Sequence, residues 1–355
     1  MPRMPMIPKT AWLIGLLILP QLSISKSWSA KCSISLLRDT NVFESFERPV
    51  ADGLGRVWLD AAARVRPLKS MLLSVNYSGG VDVYASHSIE NRTVHTFMGY
   101  AEMPLWRNAA VGLEVQGKGK SFLLADRGYG TGRAAPFLRL NLFDRALLKA
   151  SWAVSLFDFS PGDAFDYGSR SGEMILESSP FPRVKWTLGF ASHELRFKRR
   201  AVKFIFPEYL ISPWIPLGFD QKDRIAAYSA SVEVYYWAYW LLRFSNETNR
   251  SNGYGYSYRD PEVELVFAKM LPWGLNFKLF WTHRQKTYSD PFTPFLQVRP
   301  DAEDETSSRT LLDVSKTLGE KVTARLRIAR YQNESPFRNL YFRKDIASLG
   351  CCYEF

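Results

Sequence analysis

The chain has 355 residues, 46% of them hydrophobic and 15% aromatic, with 11 Trp, 17 Tyr and 24 Phe and a formal charge of +11. No stretch reaches the roughly 18 apolar, uncharged residues that mark a membrane-crossing helix, so helical spans are excluded. Three cysteines in this length exclude a disulfide scaffold.

At the start, Arg3 and Lys9 precede an apolar run over 11–19, and a small, polar segment follows over 21–30. These three parts make a secretory signal peptide, placed at 1–29 with the mature chain at 30–355. Cleavage is expected after Ser25 or after Ser29. Lys31 before Cys32 breaks the small-residue requirement of a lipidation site. Loss of Arg3, Lys9 and Lys26 lowers the charge by three, to +8. A secreted chain rarely meets nucleic acid, so that partner is set aside in favour of lipopolysaccharide phosphates or passing anions.

From Cys32 onward one rhythm repeats: an alternating segment, a tight turn, another such segment, then a longer polar loop. The segments fall at 32–44, 56–66, 73–78, 93–103, 111–118, 138–142, 148–156, 173–179, 184–190, 224–236, 239–245, 262–271, 275–284, 309–318, 321–330 and 340–355. In the second, Val57, Leu59, Ala61, Ala63 and Val65 alternate with Arg56, Trp58, Asp60, Ala62, Arg64 and Arg66, the period-two pattern of a strand with one apolar face. Gly79-Gly80 reads as a bulge or bend. Even segments are followed by tight turns such as Pro67-Leu68-Lys69-Ser70 and Pro272-Trp273-Gly274, odd ones by longer loops, the longest over 197–223 and rich in Phe, Trp and Pro. A loop that apolar is expected to pack on the rim or fold inward. The acidic stretch 301–308 lies in another long loop. A soluble sandwich has no reason to keep this short and long alternation. The expected fold is all-β, a transmembrane antiparallel up-and-down β-barrel of about 16 strands.

The last segment places Leu349, Cys351, Tyr353 and Phe355 on one face. A terminal Phe with Tyr two places before it resembles the closing strand of bacterial outer-membrane β-barrel proteins. That resemblance implies Tyr353 and Phe355 as the assembly signal, insertion by the barrel-assembly machinery, and residence among outer-membrane lipid and lipopolysaccharide. If the sheet closes, Cys32 on the first strand neighbours Cys351 on the last. The two then form a disulfide near the periplasmic rim, or all three thiols, Cys352 included, stay free.

The polar parity is expected to face an aqueous lumen. It gathers Arg56, Arg64, Arg66, Arg139, Lys149, Lys185, Arg243, Lys278, Arg284, Arg325 and Arg327, together with Glu114, Glu173, Glu177, Glu233, Glu262, Glu264 and Asp313. Acids concentrate on the eighth, tenth and twelfth segments and much of the base on the second, thirteenth and fifteenth, so a basic wall is expected to face a more acidic one. The alternative is that these charges pair across the lumen and plug it. The architecture resembles general diffusion porins, which implies a passive channel for small polar or anionic solutes. In that likeness the third outer loop, 119–132, contributes Lys118, Lys120, Asp126 and Arg127 to a constriction, and a homotrimer is an assembly open to the chain. The second reading is a non-conducting barrel that anchors, scaffolds or exports. His87, His95, His193 and His283 lack metal spacing, and Gly128-Tyr129-Gly130 lacks the strand-to-helix setting of a nucleotide loop. No catalytic residue, cofactor or metal is expected.

Overall fold

Side chains that alternate between oil and water at a period of two suit a sheet with one face in lipid, and such a sheet has no unpaired edge only when it closes. The computed structural model describes residues 26–45, 47–68, 70–143, 145–204, 214–290, 308–332 and 342–355. Sixteen strands make the wall: β1 (Lys26–Asp39), β2 (Asp52–Leu68), β3 (Met71–Tyr84), β4 (Arg92–Trp106), β5 (Ala109–Phe122), β6 (Gly128–Phe143), β7 (Ala146–Ser160) and β8 (Tyr167–Phe181) form the first half. The second half is β9 (Val184–Phe204), β10 (Trp214–Tyr235), β11 (Tyr239–Ser251), β12 (Tyr258–Leu271), β13 (Leu275–Arg284), β14 (Ser308–Leu318), β15 (Val322–Gln332) and β16 (Arg343–Glu354). A two-residue bridge, Thr287–Tyr288, adds to the outer end of β12. Each strand pairs antiparallel with the next, and β16 pairs β1 from Lys31 opposite Glu354 to Asp39 opposite Ile346, which closes the cylinder.

The connections alternate as the sequence implies. At one end they are two or three residues long, as at 107–108 and 272–274; at the other they run from five residues at 123–127 upward. Gly319, in the tight turn after β14, has φ 74°, a left-handed conformation that glycine takes without a Cβ penalty. Short turns in barrels of this kind face the periplasm. Exposed rings mark that end: Trp106, Phe143 and Phe181 close β4, β6 and β8, and Tyr236, Trp237 and Trp273 sit in the next turns. Tyr353 and Phe355 join them edge to face, 5.1 Å between ring centroids. This is an aromatic girdle at the membrane interface.

Three expectations change. The strands are longer than the apolar alternation suggested, so 119–132 is strand except for the five residues 123–127. Most of 197–223 is likewise strand: β9 and β10 stay paired from Asp223 opposite Leu195 to Trp214 opposite Phe204, with shifts around Asp220, and only 205–213 lie outside the described residues. This extension packs on the rim, where the Tyr254 amide donates to the Val202 carbonyl at 2.9 Å and Phe204 stacks on Tyr254 at 5.5 Å. Gly79-Gly80 makes no bulge, since β3 stays in register with β2 through Trp58 opposite Gly80. A Cβ on Gly80 would meet the Val57 carbonyl at 2.0 Å and the Trp58 ring at 2.8 Å, so glycine is there for close approach.

At the N-terminus, residues 1–25 of the expected signal segment and the stretch 301–307 lie outside the described residues. Residues 26–29 belong to β1, where Ser29 stands opposite Ala62. A cut after Ser25 leaves that strand whole, whereas a cut after Ser29 removes its first four residues.

Candidate pore wall

Cross-strand partners share a face, so the register carries one parity around the whole cylinder. Outward lie the exposed apolar side chains, among them Leu36, Leu113, Trp152, Leu188, Val232, Leu242, Trp281 and Leu349. Inward lie all the charged residues named above for the lumen. Within the described residues those charges assemble into pairs along the wall.

Towards the extracellular end the carboxylates are buried. Asp82, 2% exposed, takes Arg56 Nε at 2.6 Å and Arg92 Nε at 3.1 Å. Asp260 takes Arg284 Nη2 at 2.6 Å, and Asp313, nearer mid-height, takes Arg325 Nε at 2.6 Å and Arg327 Nε at 3.1 Å. Where β16 meets β1, Lys344 Nζ reaches Asp39 Oδ2 at 2.9 Å with both side chains out of solvent, and the Asn41 amide donates to Asp39 Oδ1. Asn41 and Ser45 of the following loop pack beside this pair, Asn41 donating its side-chain amide to the carbonyls of Ser45 and Arg343. In the loop after β11, burial pushes the Tyr256 phenol pKa up, against the guanidinium of Arg199, 4.6 Å from its ring centre.

Lower on the wall the pairs are wetter and lean over intervening strands. Arg139 on β6 reaches Glu102 on β4 at 2.8 Å, Lys149 on β7 reaches Glu114 on β5 at 2.5 Å, and Arg133 on β6 reaches Glu173 on β8 at 2.5 Å. They lie flat because the strands beneath present small inward residues, Ala110, Ala135 and Ala153, with Gly112 among them. A Cβ at Gly112 would meet the Phe137 ring at 2.3 Å, and that ring in turn carries Lys149 at 4.7 Å. Lys185 bridges Glu177 at 3.0 Å and Glu233 at 3.9 Å; Arg243 reaches Glu264 at 3.0 Å and Arg284 reaches Glu262 at 4.0 Å.

These partners correct the expectation of two opposed walls. Glu173 and Glu177 on β8, Glu233 on β10, and Glu262 and Glu264 on β12 each have a base one or two strands away, so their field is cancelled locally. Strands are about 4.8 Å apart, a far shorter reach than the lumen's diameter. Every inward ion pair among the described residues joins strands that are neighbours or separated by a single strand. Among the described residues these pairs therefore run along the wall. Arg64, Arg66 and Lys278, all exposed and all in the periplasmic half, form no ion pair among the described residues.

The third outer loop is also corrected. Its five residues stay at the rim, where Arg127 pairs with Glu90 and covers the Phe122 ring, and Leu123 donates to the Asn91 carbonyl at 2.8 Å. Lys118 and Lys120 stand on β5, over the rings of Tyr129 and Phe122. All three cysteines are free. Cys32 is opposite Tyr353 and Cys351 opposite Ile34, two rungs away, a diagonal of about 7–8 Å that a disulfide does not span without backbone movement. No cluster of three metal-binding side chains occurs among the described residues.

A closed sixteen-stranded cylinder with an apolar exterior, a charged interior and an aromatic girdle is an outer-membrane β-barrel of porin-like build. No protein-family model and no curated protein matches the chain in sequence. Similar solved structures include a loop-deletion variant of OmpT, an outer membrane protein of Vibrio cholerae, at 8% identity over 93% of this chain and 99% of that one, TM-score 0.49. Acinetobacter baumannii OccAB1 aligns at 10% identity over 93% and 96%, TM-score 0.47, and the outer membrane protein OpdK of Pseudomonas aeruginosa at 9% over 93% and 99%, TM-score 0.46. Identities this low speak to the fold alone.

Proposed function

We propose that the chain is a passive, porin-like channel for small polar solutes with a mild preference for anions. The observation that carries this reading is the course of the inward ion pairs, which among the described residues run along the wall of a sixteen-stranded cylinder; barrels of that strand number enclose an aqueous channel. The preference for anions rests on Arg64, Arg66 and Lys278, which form no ion pair among the described residues and raise the local concentration of anions; Asp313, opposite Lys278, is already held by Arg325 and Arg327. Arg325 and Arg327 contribute less than their number suggests, because both are held by buried Asp313.

Single-channel recording of the folded, full-length protein in a planar bilayer tests the reading. Stepwise conductance with a reversal potential displaced towards the anion is expected. Folded protein that never conducts overturns it in favour of an anchoring or scaffolding barrel, for which the projecting β9–β10 extension offers a binding surface. Conductance with cation selectivity overturns the anion preference alone.

A further inference from the structure

The outward face of β8 to β11 carries a row of charge where a lipid-facing wall has no evident use for one. Arg170 stands opposite Glu194, Glu194 opposite Arg224, and Arg224 opposite Arg250, so one rung holds three guanidinium groups on four adjacent strands. On the next rung Arg196 faces Lys222. The single acid is already committed, since Glu194 takes Arg196 Nη2 at 2.6 Å. Arg170, Lys222, Arg224 and Arg250 are exposed and form no ion pair among the described residues. Like charges set directly opposite each other destabilise a sheet, and here two such pairs adjoin.

Their height is the second observation. Arg170 lies eleven residues from Phe181 along β8, Arg224 eleven from Tyr235 along β10, and Arg250 eleven from Tyr239 along β11. Those aromatic residues end the strands at the periplasmic side, and a tilted strand crosses the hydrocarbon in about 9–11 residues. The row therefore sits where the outer leaflet's headgroups begin, above the Phe190–Tyr228 ring pair and the apolar side chains below it. Three strand spacings make it about 15 Å wide, enough for two phosphates of one headgroup.

We propose that this face binds the phosphates of a phosphorylated glycolipid of the outer leaflet, of the lipid A class, with Arg170, Lys222, Arg224 and Arg250 as its cationic contacts. Guanidinium groups grip phosphate through paired, charge-assisted hydrogen bonds, and the anion removes the repulsion between the opposed bases. The lipid is held on the outside of the cylinder, independently of what passes through it.

The test uses the folded full-length barrel in phosphatidylcholine vesicles containing either lipid A or the same lipid stripped of its phosphates. Lipid retained through detergent extraction is counted by native mass spectrometry. Wild type is expected to keep lipid A and lose the stripped lipid, and Arg224→Gln with Arg250→Gln to keep about tenfold less, a loss that also appears on adding salt. Arg170→Gln with Lys222→Gln provides a second variant should the first not fold, as judged by heat-modifiable gel migration. Equal retention by a folded variant, or none by wild type, overturns the proposal. So does release of lipid A by inorganic phosphate alone, which marks a general anion site. Conductance of both variants is expected to match wild type, so the channel reading stands or falls separately.

Discussion

At the extracellular rim Asp39, Asp82 and Asp260 are buried, each with its own base, whereas Arg64, Arg66 and Lys278 near the periplasmic turns are exposed and form no ion pair among the described residues. The same residue types do opposite work in the two regions. Where loops fold over the wall and exclude water, a charge must be paired, and the pair then locks loop to strand and strand to strand. Where water reaches the wall, a lone cation costs little and its field extends into the lumen. The rim is thus built to hold shape, and on the proposed reading the lower lumen acts on what passes.

Breaking the rim gives the largest effect. Lys344→Met leaves Asp39 buried at the junction of β16 and β1 without its 2.9 Å partner, and is expected to cost about 3–5 kcal/mol, the usual penalty for an uncompensated buried charge. Urea unfolding of the folded barrel, followed by loss of heat-modifiable migration, measures it. A cost near zero would mean that the rim pair is solvated and the contrast between the two ends is wrong.

The lower lumen sharpens the contrast from the other side. Replacing Arg64, Arg66 and Lys278 together by Gln is expected to leave stability within about 0.5 kcal/mol per site, as exposed positions do. The reversal potential should move towards cations. If unfolding shifts strongly and selectivity does not, these residues hold the wall and do not tune the lumen. The same experiment on Arg325 and Arg327 is less clean, because it strands buried Asp313.

Strand number, parity and closure were legible in the sequence because lipid and water sort side chains at every second position, as along Leu148, Ala150, Trp152, Val154 and Leu156 on β7. Strand ends were not. Past the hydrocarbon boundary the outward face no longer has to be apolar, so β9 runs on to Phe204 through Arg196, Lys198 and Arg200 while the apolar signal stops near Phe190. Asp82, Asp260 and Arg133 escaped the expected lumen set for the same reason: each lies just beyond a segment drawn by apolar alternation, though each keeps the inward parity. Glu102 and Lys344 lay inside their segments and were also missing from the expected lumen set. Partners were illegible for another reason. The reach of Arg139 over β5 to Glu102, or of Lys149 over β6 to Glu114, depends on the stagger between strands and on small side chains beneath, and neither is written locally.

The smallest expected effect isolates burial from distance. On β16, Asp345 follows Lys344 and points outward, where Arg330 Nε meets it at 2.7 Å with a second contact at 3.3 Å. By distance this pair is at least as good as Lys344 with Asp39. Both its side chains are nonetheless largely in solvent, 52% and 40% exposed, so water already compensates each charge and salt screens their attraction. Arg330→Gln is therefore expected to leave the urea midpoint unchanged at ordinary ionic strength, one residue along the strand from the substitution with the largest effect. A loss comparable to that of Lys344→Met would show that bond length, rather than exclusion of water, sets the worth of charge pairs in this wall, and would remove the physical basis for separating rim from lumen.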